Sequence, residues 1–360
     1  MRFLGVSLCH DFHDILLYPD GSAAAMVRLR GLEPKGASSM TKERGHEKYE
    51  ALIFLCHGLA PVRTAVAHPC DESALRGALE AAKARLIEPI LVGPKTRIEA
   101  LARTLGLDIS PFRLIDAPHS HAAAAKAVEL VRMGEADALM KGSLHTDELM
   151  AEVVSKETGI RTERRISHVF IMDVPTYHKP LFITDAAVNI FPTLEDKTDI
   201  IQNAIDLAIA LGVAQPKVAI LSAAETVSSK IPSTIEAAAL CKMADRGQIL
   251  GGLLDGPLAF DNAISPDAAK AKNIKSPVAG DADILVVPDL EAGNMLAKVF
   301  TFLANADAAG IVLGARAPII LTSRADTLRT RLASCAVAAL YAHAKRVAAA
   351  SAAKLVGWTA

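Results

Sequence analysis

From about Tyr49 to the C-terminus, short apolar runs alternate with longer segments whose apolar residues recur at helical spacing. That alternation is the pattern of β-strands feeding crossover helices. The spacing predicts strands at Thr64–Ala67, Glu88–Val92, Arg113–Asp116, Ala138–Lys141, His168–Met172, Leu181–Thr184, Lys217–Ser222, Ile249–Leu254, Asp283–Val287, Ala309–Leu313 and Ile319–Leu321. Between them lie Ala- and Leu-rich amphipathic stretches long enough for crossover helices: Glu72–Ala84, Ser120–Met133, Asp199–Leu211 and Ser233–Ala244. The expectation is an α/β fold on a doubly wound parallel sheet. Residues 1–44 show little periodicity and read as an N-terminal extension, expected to be poorly ordered. No period of 20 to 50 residues repeats, which argues against a solenoid.

Composition narrows the function. The 360 residues suffice for about two domains. Hydrophobic residues are 51%, charged residues 22% and mean hydropathy +0.28, which excludes a wholly disordered chain. A net charge of −1 offers no field to gather nucleic acid, so neither nucleic acid nor membrane is an expected partner. The opening apolar run is broken by His10, Asp11, His13 and Asp14, and no long uncharged apolar span follows. Cys9, Cys56, Cys70, Cys241 and Cys335 are odd in number and scattered, which fits a reducing cytoplasm better than a disulfide framework.

Ligands of open α/β sheets bind where strands end and helices begin. Two such junctions carry chemistry. The strand ending at Lys141 runs into Gly142-Ser143-Leu144-His145-Thr146, where Gly142 permits close backbone approach, Lys141 is placed for an anion and Thr146 is a helix cap candidate. The strand ending at Leu321 runs into Thr322-Ser323-Arg324-Ala325-Asp326 and a long helix. As a capping box it makes Ser323 the cap and Asp326 its partner. That leaves Arg324 unexplained, because a cation in the first turn opposes the helix dipole unless it meets an anion. Free N–H groups beside a guanidinium form a phosphate cradle. Three Asp-, Gly- and Pro-rich loops follow other strands and are turns by default. A divalent site drawn from Asp255, Asp261, Asp281 and Asp289 matches no calcium-loop spacing, and no metal is expected. The P-loop, the dinucleotide G-x-G-x-x-G and the G-x-S-x-G elbow are all missing from the sequence.

Asp255-Gly256-Pro257, Ser276-Pro277-Val278-Ala279-Gly280-Asp281-Ala282-Asp283, Pro288-Asp289-Leu290-Glu291-Ala292-Gly293-Asn294 and Leu321-Thr322-Ser323-Arg324-Ala325-Asp326 together resemble the phosphate acetyl/butyryltransferase family. The similarity runs from about Tyr49 to the C-terminus, and Thr322-Ser323-Arg324-Ala325-Asp326 resembles the butyryl branch. The resemblance implies two doubly wound α/β domains with an interdomain cleft, an architecture like that of isocitrate and isopropylmalate dehydrogenases. On this sequence the first domain is expected over 45–155 plus 315–360 and the second over 156–314, in a homodimer. The implied activity interconverts acyl-CoA and inorganic phosphate with acyl phosphate and coenzyme A, with coenzyme A a substrate and no bound cofactor. Ser323, Arg324 and Asp326 are the expected catalytic residues. Lys141, Gly142, Ser143, His145, Thr146, Asp255, Gly256, Pro257, Pro277, Gly280, Asp289, Gly293, Asn294, Gly314 and Arg316 are the expected substrate contacts.

Two departures from the family pattern stand out. The base of the acetyl branch lies one turn beyond the Ser-Arg pair, where this chain has Thr330. An arginine common in the helix after Lys141 is absent from Thr146–Glu152, leaving Arg161, Arg164 and Arg165 as its nearest replacements. A metal- and NAD-dependent decarboxylating dehydrogenase and a catalytically silent coenzyme A or acyl-phosphate binder are the alternative readings.

Overall fold

The computed structural model describes residues 46–322 and 326–356, so the N-terminal extension and Ser323-Arg324-Ala325 lie outside the described residues. In chain order the elements are α1 (Glu47–Leu55), β1 (Val62–Ala67), α2 (Glu72–Lys83), β2 (Ile87–Gly93), α3 (Lys95–Leu105), β3 (Leu114–Asp116), α4 (Ser120–Arg132), β4 (Ala138–Lys141) and α5 (Thr146–Val154). They continue as β5 (Ser167–Asp173), β6 (Leu181–Thr184), α6 (Leu194–Ala210), β7 (Lys217–Leu221), α7 (Pro232–Asp245), β8 (Leu253–Leu258), α8 (Phe260–Ile264), α9 (Pro266–Ala271), β9 (Ile284–Val286), α10 (Leu290–Phe302), β10 (Asp307–Leu313), β11 (Ile319–Ile320) and α11 (Leu328–Val356).

Among the described residues the strands form one 11-stranded sheet in the order β3-β2-β1-β4-β11-β10-β5-β6-β9-β7-β8. Both wings are parallel, as the βα alternation predicts. The centre differs, since β10 pairs antiparallel with β11 and β5, and β5 antiparallel with β6. For β10–β11 and β5–β6 the cause is connection length. Parallel neighbours need a crossover of a dozen or more residues, and only residues 314–318 separate β10 from β11 and 174–180 separate β5 from β6. β8 also departs from expectation, starting beyond Gly251-Gly252 and running through Pro257. Proline is tolerated there because β8 is the last strand of the sheet and, among the described residues, one side has no ladder partner.

The side chains on the two faces of the sheet meet different layers. On one face a continuous core runs from Leu75 and Met140 through Ile311 and Val169 to Ile205 and Val286, under α2, α6, α7 and α11. On the other face the core is split. Leu139, Ile319 and Val312 pack under α4 and α5, whereas Met172, Ile183 and Leu285 pack with Phe300 of α10. Each fully buried aliphatic chain contributes about 1.5 to 3 kcal/mol, so both layers are anchored while the sheet surface between them is left open. Crevices of this kind, where covering layers part, are where α/β sheets take ligands.

Candidate active site

One wall of this crevice begins at the exit of β4. Gly142 N–H donates to Ala67 O at 2.9 Å and Ser143 N–H to His68 O at 2.9 Å, stitching the turn to the end of β1. A Cβ on Gly142 would sit 2.3 Å from Ala67 O, so glycine is dictated by backbone contact. Ser143 Oγ donates to His68 O at 2.8 Å and accepts from Cys70 N–H at 3.1 Å. These bonds hold the Lys141 side chain inside the protein at 6% exposure, with Nζ donating to Leu144 O at 3.1 Å. Thr146 does not cap α5, as sequence spacing suggested. His145 holds the cap position with no side-chain capping bond, and Asp147 and Glu148 in the first turn complement the dipole instead.

The second segment is the exit of β11. Its strand pairs with β4 so that Ile320 faces Met140, bringing residues some 180 positions apart into one row. The capping-box expectation is corrected here. α11 starts at Leu328, Thr327 Oγ1 accepts from Thr330 N–H at 3.1 Å, and Thr327 O accepts from Arg331 N–H at 3.2 Å. Thr327 is therefore the cap, and Asp326 precedes the first turn. The reason is tertiary: Arg331 is 4% exposed, and its Nη1 donates to Thr322 Oγ1 at 2.9 Å, fixing where the helix begins. Ser323 and Arg324 lie outside the described residues.

The third segment is β5 with the turn after β6. His168 and Phe170 stack edge to face with centroids 4.3 Å apart. Asp185 is buried and accepts from the N–H groups of Ala187 at 2.9 Å, Val188 at 3.0 Å and Asn189 at 3.2 Å. That carboxylate shapes the turn carrying Ala187. Together Lys141, Leu144, His145, Thr146, His168, Phe170, Ala187, Leu321, Thr322 and Asp326 line a cavity of about 410 Å³. It joins an ammonium, a hydroxyl and a carboxylate to an apolar wall, which suits a small apolar group attached to an anion.

A larger groove of about 1140 Å³ shares Thr146 and Ala187 with this cavity and is lined by Arg161, Arg164 and Arg165 together with Asp147, Glu163, Asp196 and Asp199. Arg165 Nε donates to Asn189 Oδ1 at 2.6 Å, tying the groove to the Asp185 turn. Gly314 and Arg316 brace the same segment. A Cβ on Gly314 would meet Arg165 O at 2.3 Å, and Arg316 N–H donates to Ile160 O at 2.8 Å. Asp289 caps α10 by accepting from Ala292 N–H at 2.9 Å. From that helix Asn294 Nδ2 donates to Ala186 O at 3.2 Å, while Gly293 lets the helix approach Ala186. These residues lie behind the Asp185 turn rather than on the cavity lining.

Asp255, Gly256 and Pro257 lie on β8, with β6, β9 and β7 between them and β5. Pro277 and Gly280 belong to a loop fastened on α8 and α9, where Gly280 N–H donates to Asn262 O at 2.7 Å. Among the described residues no three His, Cys, Asp or Glu side chains gather as metal ligands would. Asp281 is instead held by Lys217 at 2.6 Å and Lys179 at 3.0 Å. Burial opposes its ionisation, yet the two lysines together lower it to about 2. Burial pushes the thiols of Cys56 and Cys70 up to about 11 and those of Cys241 and Cys335 to about 12, so none is a thiolate nucleophile at neutral pH. Among the described residues no helix is long and apolar enough to cross a membrane.

Sequence reasoning found Lys141, His145, Thr146 and Asp326 on this cavity and missed His168, Phe170 and Ala187 from the other wall. A histidine opening an otherwise apolar strand was the available signal for His168. Asp185, at the polar exit of β6, was the available signal for the turn carrying Ala187.

Residues 119–339 match the family model described as phosphate acetyl/butaryl transferase. A phosphate acetyltransferase of Rhizobium meliloti is 67% identical over 301 residues, 84% of this chain and 95% of that protein. A phosphate butyryltransferase of Clostridium acetobutylicum is 42% identical over 280 residues, 78% of this chain and 93% of that protein. The crystal structure of a branched-chain phosphotransacylase from Enterococcus faecalis superposes with TM-score 0.69 at 31% identity, covering 78% of this chain and 99% of that one. The chain belongs to the phosphate acetyl/butyryl transferase family.

Proposed function

We propose that the chain is a phosphate acyltransferase that interconverts short-chain acyl-CoA and inorganic phosphate with acyl phosphate and coenzyme A. The observation that carries this reading is the crevice itself. It brings the exits of β4 and β11 together with the apolar wall of β5, so charged, hydroxyl-bearing and apolar side chains line one cavity, which supports a phosphate and an acyl chain held side by side.

In the direction of thioester formation the thiol of coenzyme A loses its proton. With a thiol pKa near 8.5 this needs modest help, which Asp326 supplies as the base that accepts the proton. Sulfur attacks the acyl carbon, the carbonyl electrons move onto oxygen, and collapse expels phosphate with the electron pair of the broken C–O bond. Arg324 grips the phosphoryl oxygens in a bidentate fork, with Lys141 as a second cation. Ser323 donates to the oxyanion. The raised thiols leave no described cysteine suited to a covalent intermediate, which supports direct transfer between substrates held in one crevice. The three arginines of the neighbouring groove support a seat there for the phosphates of coenzyme A.

On this reading the split helix layer is the division between two lobes, 45–155 plus 315–360 and 156–314. The setting is the cytoplasm and the assembly a homodimer, whose partner would cover the exposed Met295, Phe302 and Leu303 along α10. The test is the rise of thioester absorbance from acetyl or butyryl phosphate plus coenzyme A, with wild type beside Arg324→Ala. Thioester formation that falls at least tenfold in the variant supports the reading. Equal activity in both removes Arg324 from the site, and an inactive wild type that still binds coenzyme A makes the chain a silent binder.

A further inference from the structure

We propose that His168 is a further catalytic residue of this site, a neutral hydrogen-bond donor to the acyl carbonyl oxygen; the inference rests on the acyltransferase reading. His168 is 1% exposed, yet it lines the cavity shared by Lys141, Thr322 and Asp326. Its Nδ1 has no hydrogen-bond partner, although buried polar atoms are nearly always paired. The hydrogen bonding of this residue among the described residues runs through its backbone, where His168 O accepts from Thr184 Oγ1 at 2.9 Å. The unpartnered Nδ1 shows that no hydrogen bond within the described protein uses this ring, which leaves the imidazole available to a bound group.

The room for this ring is built into the sheet. On the neighbouring strand stands Gly310, and a Cβ there would lie 3.0 Å from His168 Nε2. The glycine lets the imidazole lean across β10 toward Leu321, on the same sheet face as Lys141. Phe170 holds the ring from the other side. Orphaned N–H groups are rarer in protein interiors than unmet acceptors. Nδ1 is enclosed and has no partner among the described residues, so we assign it as the bare nitrogen and place the proton available for donation on Nε2, beside Gly310.

The charged groups that bear on the ring are Asp185, which acts on it electrostatically, and Lys141 and Asp326, which line the same cavity. Burial lowers the ring to about 4, with Asp185 opposing, so it is uncharged at neutral pH. An uncharged ring is a poor base for a thiol but a suitable fixed donor. As sulfur attacks, the bond from Nε2–H to the carbonyl oxygen strengthens with the growing negative charge, and the proton stays on nitrogen throughout.

The test compares wild type with His168→Leu, which removes the donor at similar volume, and His168→Gln, which keeps an N–H donor. We expect His168→Leu to lower kcat about 100-fold with KM for coenzyme A within twofold, and His168→Gln to recover part of the loss. In the wild-type chain carrying ¹⁵N-histidine, butyryl phosphate alone should shift the His168 side-chain resonances. Wild-type kcat in His168→Leu overturns the proposal. Should that variant fail to fold, resonances unmoved by saturating butyryl phosphate overturn it. A wild type that forms no thioester defeats the acyltransferase reading instead.

Discussion

Arg331, one turn into the last helix, donates from Nη1 to the hydroxyl of Thr322 at 2.9 Å, with both residues buried. The bond spans the chain on either side of Ser323-Arg324-Ala325. It thereby fixes both ends of the segment expected to hold phosphate. The arginine side chain passes over Gly77 of α2, where a Cβ would lie 2.9 Å from Arg331 Cδ.

Thr322→Val should cost about 1 to 3 kcal/mol of stability, because a buried guanidinium N–H loses its acceptor while the volume is preserved. Thioester formation should fall at least tenfold as the segment loses its anchor. Urea titration and initial rates measure the two effects, and a variant as stable and active as wild type would show that Arg331 does not position the segment.

Gly142→Ala forces a Cβ to within 2.3 Å of Ala67 O and 2.6 Å of His68 O. Neither backbone can yield without breaking the β1 exit, so the loss should be about 3 kcal/mol or more, at the upper end of overpacking costs. The midpoint of chemical denaturation reports it.

His168 ties stability to pH. Its folded value of about 4 lies below the ordinary 6.5, so between these values the unfolded chain binds a proton that the folded chain refuses. Its contribution is complete above about pH 6.5 and is lost as pH falls toward 4. His168→Leu should flatten the stability curve over that window. Parallel curves for wild type and variant would mean that the ring is not held neutral.

Asp185→Asn replaces a carboxylate that accepts three backbone N–H groups with an amide that supplies a single acceptor oxygen. Bonds to charged groups contribute about 1.5 to 3 kcal/mol each, so stability should fall by at least about 2 kcal/mol. Displacement of Ala187 should also slow thioester formation about tenfold. Calorimetry and initial rates check both.

The periodicity of apolar residues was enough to mark β4 and β6 at their observed ends and most other strands within a residue or two, because strand and helix periods are local properties of the chain. The anion-binding junction at Lys141 was legible for the same reason, as a strand running into Gly-Ser. Antiparallel pairing at the centre of the sheet was not, since it follows from which strands meet after short connections. The start of α11 was misread because Ser323 and Thr327 are equivalent caps by local rules, and only the buried bond from Arg331 to Thr322 separates them. His168 looked like one residue of a strand. Its meaning comes from Gly310 on the next strand and from the gap between two helix layers, which are distances through space that no neighbouring residue in sequence encodes.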